Sequence, residues 1–438
     1  MFRKRLQLAL IHMAVAMALV PINSTLNRVM INELAISATL VSILASLPYL
    51  FSPLQVVIGS YSDRHPVFGY RRSPYIAAGL LLCVLGVVLA PHVVYLLPEN
   101  RVNGLLLSGL AFGAWGMGFN LASVSYLSLA SEISGEKGRS RTVSVMWFMM
   151  IIGIILTAAT LSRLLEPYTP ASLQRAFEMV GLVSLGLGAI GLMGLEERHR
   201  PERAAGDERS AIPQRHSWQS LLTGVLGNPS ARHFFFYLII LLAAILGQDV
   251  LLEPYAGEAF GLPVSETTRI TSIWGGCVLV ALLVATWLER RMDKRSVARS
   301  GAWMGAAAFG LIALSGLLHI SAVFYTGVLL LGFGTGLSTV SNLSLMLDMT
   351  TTQVGLYIGA WGLADALARL LGTVMSGIVR DVVAYFSTSL WGYVTVFVIQ
   401  AGLLLISLVM LSRIDVQKFR RQTQLSVTDR AALMNEVS

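Results

Sequence analysis

The sequence predicts an all-α membrane protein of twelve transmembrane helices, and three observations carry that prediction. Charge is scarce: Asp, Glu, Lys and Arg make up 13% of the 438 residues, against 55% hydrophobic, about half the charge of ordinary soluble domains. The mean hydropathy is +0.68. The few charges are bunched, leaving uncharged runs that can cross the ~30 Å hydrocarbon core, for which ~18 apolar residues suffice. Nothing alternates at period two, as the ~10-residue strands of an outer-membrane barrel would. A soluble surface needs far more charge, so a soluble enzyme, a disordered chain and a DNA-binding domain are excluded.

Span one is the run 6–27. It follows Arg3, Lys4 and Arg5 as in a signal peptide, but no small-residue cleavage site follows, so it reads as an uncleaved first helix. The runs 34–62, 73–98, 102–131, 142–162 and 179–195 give spans two to six. The charged, Pro-containing stretch 196–232 reads as a linker. The runs 234–248 and 270–288 give spans seven and eight. The run 300–347 is too long for one helix and carries a polar break near Ser315–Ser321, so it splits into spans nine and ten. Span eleven runs from 349 past Asp365 and Arg369 to Val379, and span twelve is 382–412. The expected organisation is a six-helix half over 1–195, the linker 196–232, a second half over 233–412 and a tail over 413–438. Gly109 and Gly113, like Gly332 and Gly336, have the spacing that lets membrane helices approach closely.

Of the 32 basic residues, 25 lie in the N-terminus, the loops 63–72, 132–141, 196–233 and 289–299, and the tail. The opposite loops hold Arg28, Arg101, Arg163, Arg175, Arg269 and Arg380. The positive-inside rule therefore places both termini in the cytoplasm. The net charge of +8 is a topology signal, and no nucleic-acid partner is expected.

The halves resemble each other. Gly118 to Glu132 lies over Gly334 to Asp348 at an offset of 216, each segment ending in an acid at the same end of its span. Such internal repeats belong to transporter folds. After span two, Gly59-Ser-Tyr-Ser-Asp63-Arg64 and then Gly69-Tyr-Arg71-Arg72 resemble the signature loop of the major facilitator superfamily, with extra residues between Arg64 and Gly69. Ordinary positive-inside charge would explain the arginines; the Gly and Asp spacing favours a cytoplasmic gate, in which an acid at a helix end pairs with Arg. The counterpart from Glu289 to Arg299 is degenerate.

A more specific resemblance follows. Gln248-Asp249-Val-Leu-Leu-Glu253-Pro254-Tyr255-Ala-Gly257, continuing to Val264-Ser265-Glu266-Thr267-Thr268, is similar to the PucC, or bacteriochlorophyll delivery, family of that superfamily. Asn27-Arg28 to Glu33 resembles its segment after helix one, Gly69 to Ile76 its approach to helix three, and Gly359-Ala-Trp361-Gly362 its helix eleven. The resemblance covers residues 5 to 412. It implies twelve helices in a 6+6 fold and a multi-pass protein of the cytoplasmic or photosynthetic membrane of a phototrophic bacterium. Such a protein would assist light-harvesting complex assembly, with antenna polypeptides as partners and (bacterio)chlorophyll as cargo. The chain departs from the family at Asp365 and Arg369, where uncharged residues are expected, and at Phe119-Asn120, where a His or Gln is common.

Charges inside a membrane are functional candidates, because burying each costs at least ~2.5–3.5 kcal/mol. Asp249 sits two-thirds through span seven with no basic residue one turn away. Glu253 follows at i+4 on the same expected face; it precedes Pro254, where a helix can end at the interface. Asp365 and Arg369 are also i,i+4 and read as a self-neutralising pair. Asp249, Glu253 and Gln248 are candidates for binding a proton or a polar group of the cargo. Pigment magnesium accepts imidazole or oxygen donors, and His12 and Asn120 are the weak candidates for such a ligand. No phosphate-cradling loop, paired-His metal motif or Gly-x-Ser-x-Gly is present, so no enzyme, metal site or tightly bound cofactor is expected. The expected role is a PucC-like assembly factor handling pigment. The alternatives are a proton-coupled small-solute transporter using Asp249 and Glu253, and a scaffold that only chaperones antenna subunits.

Overall fold

The computed structural model describes residues 1–198, 229–349 and 354–414. The described chain is nearly all helix, because a backbone in lipid must satisfy its own hydrogen bonds and a helix does so within one segment. Span one is Phe2–Glu33, span three Ser73–Val94, span four Arg101–Gly135, span five Arg141–Leu164 and span six Pro170–Leu192. Spans eight to twelve are Val264–Leu288, Lys294–Leu318, Ser321–Met346, Trp361–Phe386 and Ser389–Ser412. These ten are long and apolar enough to cross a membrane. Spans two and seven complete the twelve and are both broken.

Span two comprises Ala38–Ala45, Leu47–Leu50 and Leu54–Arg64. Pro48 and Pro53 each lack the N–H that a continuous helix needs. The break is mended from span four: Asn120 Nδ2 donates to the carbonyls of Pro48 and Gly116, each at 2.8 Å. Gln55 Nε2 donates to Asn120 Oδ1 at 2.5 Å. Span seven comprises Pro229–Leu246 and Leu252–Phe260 with a turn between them. Span one also departs from the sequence expectation. It continues in wide π-type turns over Ile22–Leu26 and Val29–Glu33, so the Asn27–Glu33 motif lies inside helix one rather than after it. Spans four and five run almost end to end, parted at Gly135 with φ 59 and ψ 178, a conformation essentially confined to glycine.

Close packing within the halves follows the repeat. Gly118 packs on the backbone of Gly79 and Cys83 in span three. Its repeat partner Gly334 packs on Gly301 and Gly305 in span nine. Gly332 and Gly336 press against span eight at Cys277 and Ala281. Gly109 and Gly113 meet nothing within 4 Å, so they are not a helix-contact motif. The glycines that let spans three and four approach are Gly79, Gly86 and Gly118.

The halves meet along spans two and eleven and spans five and eight. Their hydrogen bonds cluster toward one face, here called the far face, opposite the N-terminal Arg3 to Arg5 and the Arg71–Arg72 loop. Ser162 Oγ donates to the Ser265 carbonyl at 2.7 Å and Ser272 Oγ to the Ile155 carbonyl at 3.1 Å. Asn32 Nδ2 donates to the Pro254 carbonyl at 2.9 Å. Gly377 sits against Ala38 and Ser42 with no room for a Cβ. At the basic face, by contrast, Leu54, Val57 and Tyr61 of span two are exposed.

Candidate functional site

Below the far-face seam, the break in span seven sets the geometry. Asp249 lies in the turn between its two helices, so the expected common helix face with Glu253 is lost. Asp249 also gains a cation that its own helix lacks. Arg369 Nη1 lies 3.4 Å from Asp249 Oδ2, and Arg369 Nε donates to Asp365 Oδ2 at 3.1 Å. The pairing of Asp365 with Arg369 is as the spacing predicts, but it is not self-contained. Gln248 Nε2 donates to Asp249 Oδ1 at 2.9 Å, and the guanidinium stands 5.4 Å from the centre of the Tyr49 ring. The side chains of Asp249, Arg369 and Asp365 are 30%, 28% and 35% exposed at mid-depth in the bundle. Two carboxylates and one guanidinium, joined by the Tyr49 ring of span two, thus line an opening between the halves, with one negative charge in excess.

Glu253 has the opposite surroundings. It opens the second helix of span seven rather than ending the first, and it is 3% exposed. Its Oε1 accepts hydrogen bonds from Ser24 Oγ at 2.5 Å and Thr271 Oγ1 at 2.6 Å. Ser24 belongs to the first half and Thr271 to the second, so the carboxyl bridges them. Arg28 is buried beside it, its guanidinium stacked on the bare backbone of Gly257. Arg28 Nη1 pairs with Glu33 Oε1 at 2.8 Å, and Nη2 lies 3.4 Å from the Leu262 carbonyl. Asn27 is buried, with Nδ2 donating to the Asn23 carbonyl at 3.0 Å. The Asn27, Arg28 and Glu33 motif is therefore part of the seam, not an exposed loop.

At the basic face the signature loop forms a cluster within the first half. Arg72 Nη2 pairs with Glu132 Oε1 at 3.0 Å, and Arg72 Nη1 donates to Ser62 Oγ at 2.7 Å. Glu196 accepts the backbone N–H groups of Arg71 at 2.7 Å, Arg72 at 3.1 Å and Ser73 at 2.7 Å. Partial burial pushes the Glu196 carboxyl up, but these bonds at the start of span three outweigh it and hold it below the usual carboxylate range. Arg64 is exposed at the end of span two, and Gly59 makes only an ordinary contact with Val124. The side chain of Asp63 lies outside the described residues. The acid found on Arg72 is Glu132, at the end of the repeat segment.

Of the pigment-ligand candidates, Asn120 is fully buried and both ends of its amide are engaged in mending span two. His12 is buried, packed at 5.1 Å between ring centres against Tyr126, with Nδ1 unpartnered. Sequence reasoning missed Tyr49, Asp381 and Glu196 as partners. Asp381 accepts the N–H groups of Ala38 at 3.2 Å and Thr39 at 2.7 Å. It binds across the halves, where no spacing rule reaches; Glu196 directly follows span six and reads in sequence only as the start of a linker.

Comparison with known proteins bears on this arrangement. The sequence model of the family described as "PUCC protein" matches residues 25–419. A "Protein PucC" of Rhodovulum sulfidophilum is 32% identical, the match covering 86% of this chain and 85% of that one. A protein of Rhodobacter capsulatus named "Bacteriochlorophyll synthase 44.5 kDa chain" is 28% identical, covering 92% and 93%. Among solved structures, the nucleoside transporter NupG superposes with a TM-score of 0.70 at 14% identity, covering 94% of this chain and 98% of that one. A bacterial homologue of the lysosomal transporter Spinster, inward-facing and unoccupied, also gives 0.70, at 11% identity, covering 96% and 97%. At these identities the structural likeness shows the fold alone: that of the major facilitator superfamily, in two six-helix halves.

Proposed function

The chain belongs to the PucC family, and from that premise we propose that it assists assembly of light-harvesting complexes by receiving (bacterio)chlorophyll and presenting it to antenna polypeptides. The observation that carries this reading is the family match over residues 25–419, which takes in both halves and every element of the cleft. Family and fold are those of a non-enzymatic multi-pass membrane protein. The candidate receiving site is the opening lined by Asp249, Arg369, Asp365 and Tyr49, with Gln248 buried behind Asp249. There Arg369 supplies donors for the carbonyl and ester oxygens of a chlorin, and the Tyr49 ring offers a flat face to its macrocycle. The basic-residue bias supports an orientation with both termini in the cytoplasm, in the cytoplasmic or photosynthetic membrane.

The test is purification from the native membrane with an absorption spectrum of any bound pigment, alongside antenna levels in a deletion strain. Co-purified pigment and reduced antenna support the reading. Pigment-free protein with normal antenna in the deletion strain overturns it. Uptake of a small solute that Asp249→Asn abolishes, with antenna intact, would replace it with proton-coupled transport. Pigment-free protein that co-purifies with antenna subunits would reduce it to scaffolding.

A further inference from the structure

Four acids lie along the far-face seam among the described residues, and three have a cation. Glu33 pairs with Arg28 at 2.8 Å, Asp381 with Arg380 at 2.9 Å and Glu258 with Arg380 at 3.6 Å. Glu253 has none. Its Oε1 accepts the two hydroxyls of Ser24 and Thr271, and its Oε2 is buried with no hydrogen-bond partner. An ionised carboxylate there would keep half its charge on a buried oxygen that receives no hydrogen bond, in a site only 3% exposed. A neutral acid in the same place costs far less to bury.

Of the groups facing Glu253, Arg28 of span one is the one cation close enough to act on it, but its Nη1 is paired with Glu33 and no hydrogen bond joins its buried Nε to Glu253 Oε2. From span eight, the contacts are hydroxyls, Thr271 and the nearby Thr268; Glu266 and Arg269 of that helix are exposed. On span seven, Asp249 below is held by Arg369 and Glu258 above by Arg380.

We propose that Glu253 is a proton-binding site, protonated while the far seam is closed and ionised once the halves part. The hydroxyls on Oε1 come from opposite halves, so parting them withdraws Ser24 and admits water. The proton then leaves for far-side solvent and the carboxylate is hydrated; closing the seam takes one proton back. Acid therefore favours the closed seam and alkali the open one, by up to about tenfold per pH unit for one proton per conversion. This coupling holds whatever cargo the cleft takes.

The test uses the full-length protein in lipid nanodiscs with Cys83 and Cys277 replaced by Ala. Spin labels are placed at Ala171→Cys and Tyr385→Cys, exposed positions at the far ends of spans six and eleven in opposite halves. Electron–electron distance measurements from mildly acidic to mildly alkaline pH should show a growing long-distance population. Glu253→Gln, neutral and of the same shape, should hold the short distance throughout. An infrared difference spectrum between the pH extremes should lose a protonated-carboxyl band that Glu253→Gln lacks. A distance that ignores pH, a Glu253→Gln protein that titrates like its parent, or an infrared band common to both would overturn the proposal.

Discussion

Two helices of this protein have their N-termini capped by a carboxylate from elsewhere in the chain, and the two caps serve opposite ends of the cleft. At the basic face Glu196 closes the start of span three, accepting from Arg71, Arg72 and Ser73. At the far face Asp381 closes the start of span two, accepting from Ala38, Thr39 and the Thr39 hydroxyl. The chemistry is the same: an anion on free N–H groups at the positive end of a helix. The connectivity differs. Glu196 and span three belong to one half, so this cap moves with the structure it stabilises. Asp381 belongs to the second half and span two to the first, so this cap must break whenever the far face opens. The seam is thus built from contacts of modest individual strength, including the Ser24 hydroxyl on Glu253, with the Tyr49 ring against the Arg369 guanidinium below it. The cluster at the basic face, with Arg72 buried between Glu132 and Ser62, is built to persist.

The largest effect should come from removing the cation at the base of the seam. Arg369→Ala leaves Asp249 and Asp365 facing each other at mid-depth without compensation. The expected loss is about 2.5–3.5 kcal/mol, the scale for one uncompensated charge in a membrane helix. It should be read as a lower yield of monodisperse protein and a lower thermal midpoint. If Arg369→Ala is as stable as its parent, the two acids are solvated from the cleft and the triad does not hold spans seven and eleven together. Next in size is Asp381→Ala, which removes the far-face cap. A lost helix cap is worth about 1 kcal/mol, so the open seam should become roughly fivefold more populated in the same spin-label measurement, with little effect on the individual halves.

The fold was legible because its signal is one-dimensional. Charge-free runs mark helices in lipid, basic residues mark one face, and the offset of 216 anticipates the matching roles of Gly118 and Gly334. The site was legible only in part. The spacing of Asp365 and Arg369 anticipates their mutual pair, and intramembrane acidity singles out Asp249 and Glu253. What failed is what depends on a third dimension. The i,i+4 rule applied to Asp249 and Glu253 presumes a continuous helix, and the turn after Leu246 removes it. The ring of Tyr49 comes to Arg369 from the opposite half. Asn120 is polar, mid-membrane and easily mistaken for a ligand; it is occupied by a break in span two that two prolines cause. Likewise Arg28 counts as an outside-loop charge in one dimension, whereas the backbone of Gly257 gives it a buried seat.

The smallest expected effect separates the two caps most cleanly. Glu196→Gln keeps an acceptor but removes the charge from the start of span three. Because the site is partly exposed and screened by salt, the cost should be only about 0.5 kcal/mol at neutral pH. The sign of its pH dependence follows from the direction of the shift. A carboxyl held below its ordinary value contributes stability above the usual carboxylate range and loses it as pH falls through the lowered value. The parent should therefore lose an increment of thermal stability in acid that Glu196→Gln has already lost, and the two should converge there. The far-face distance distribution should not move in Glu196→Gln, since both partners of this cap ride on the same half. If Glu196→Gln shifts that distribution as far as Asp381→Ala does, the basic-face cluster is part of the gate and not its frame, and the distinction between the two caps fails.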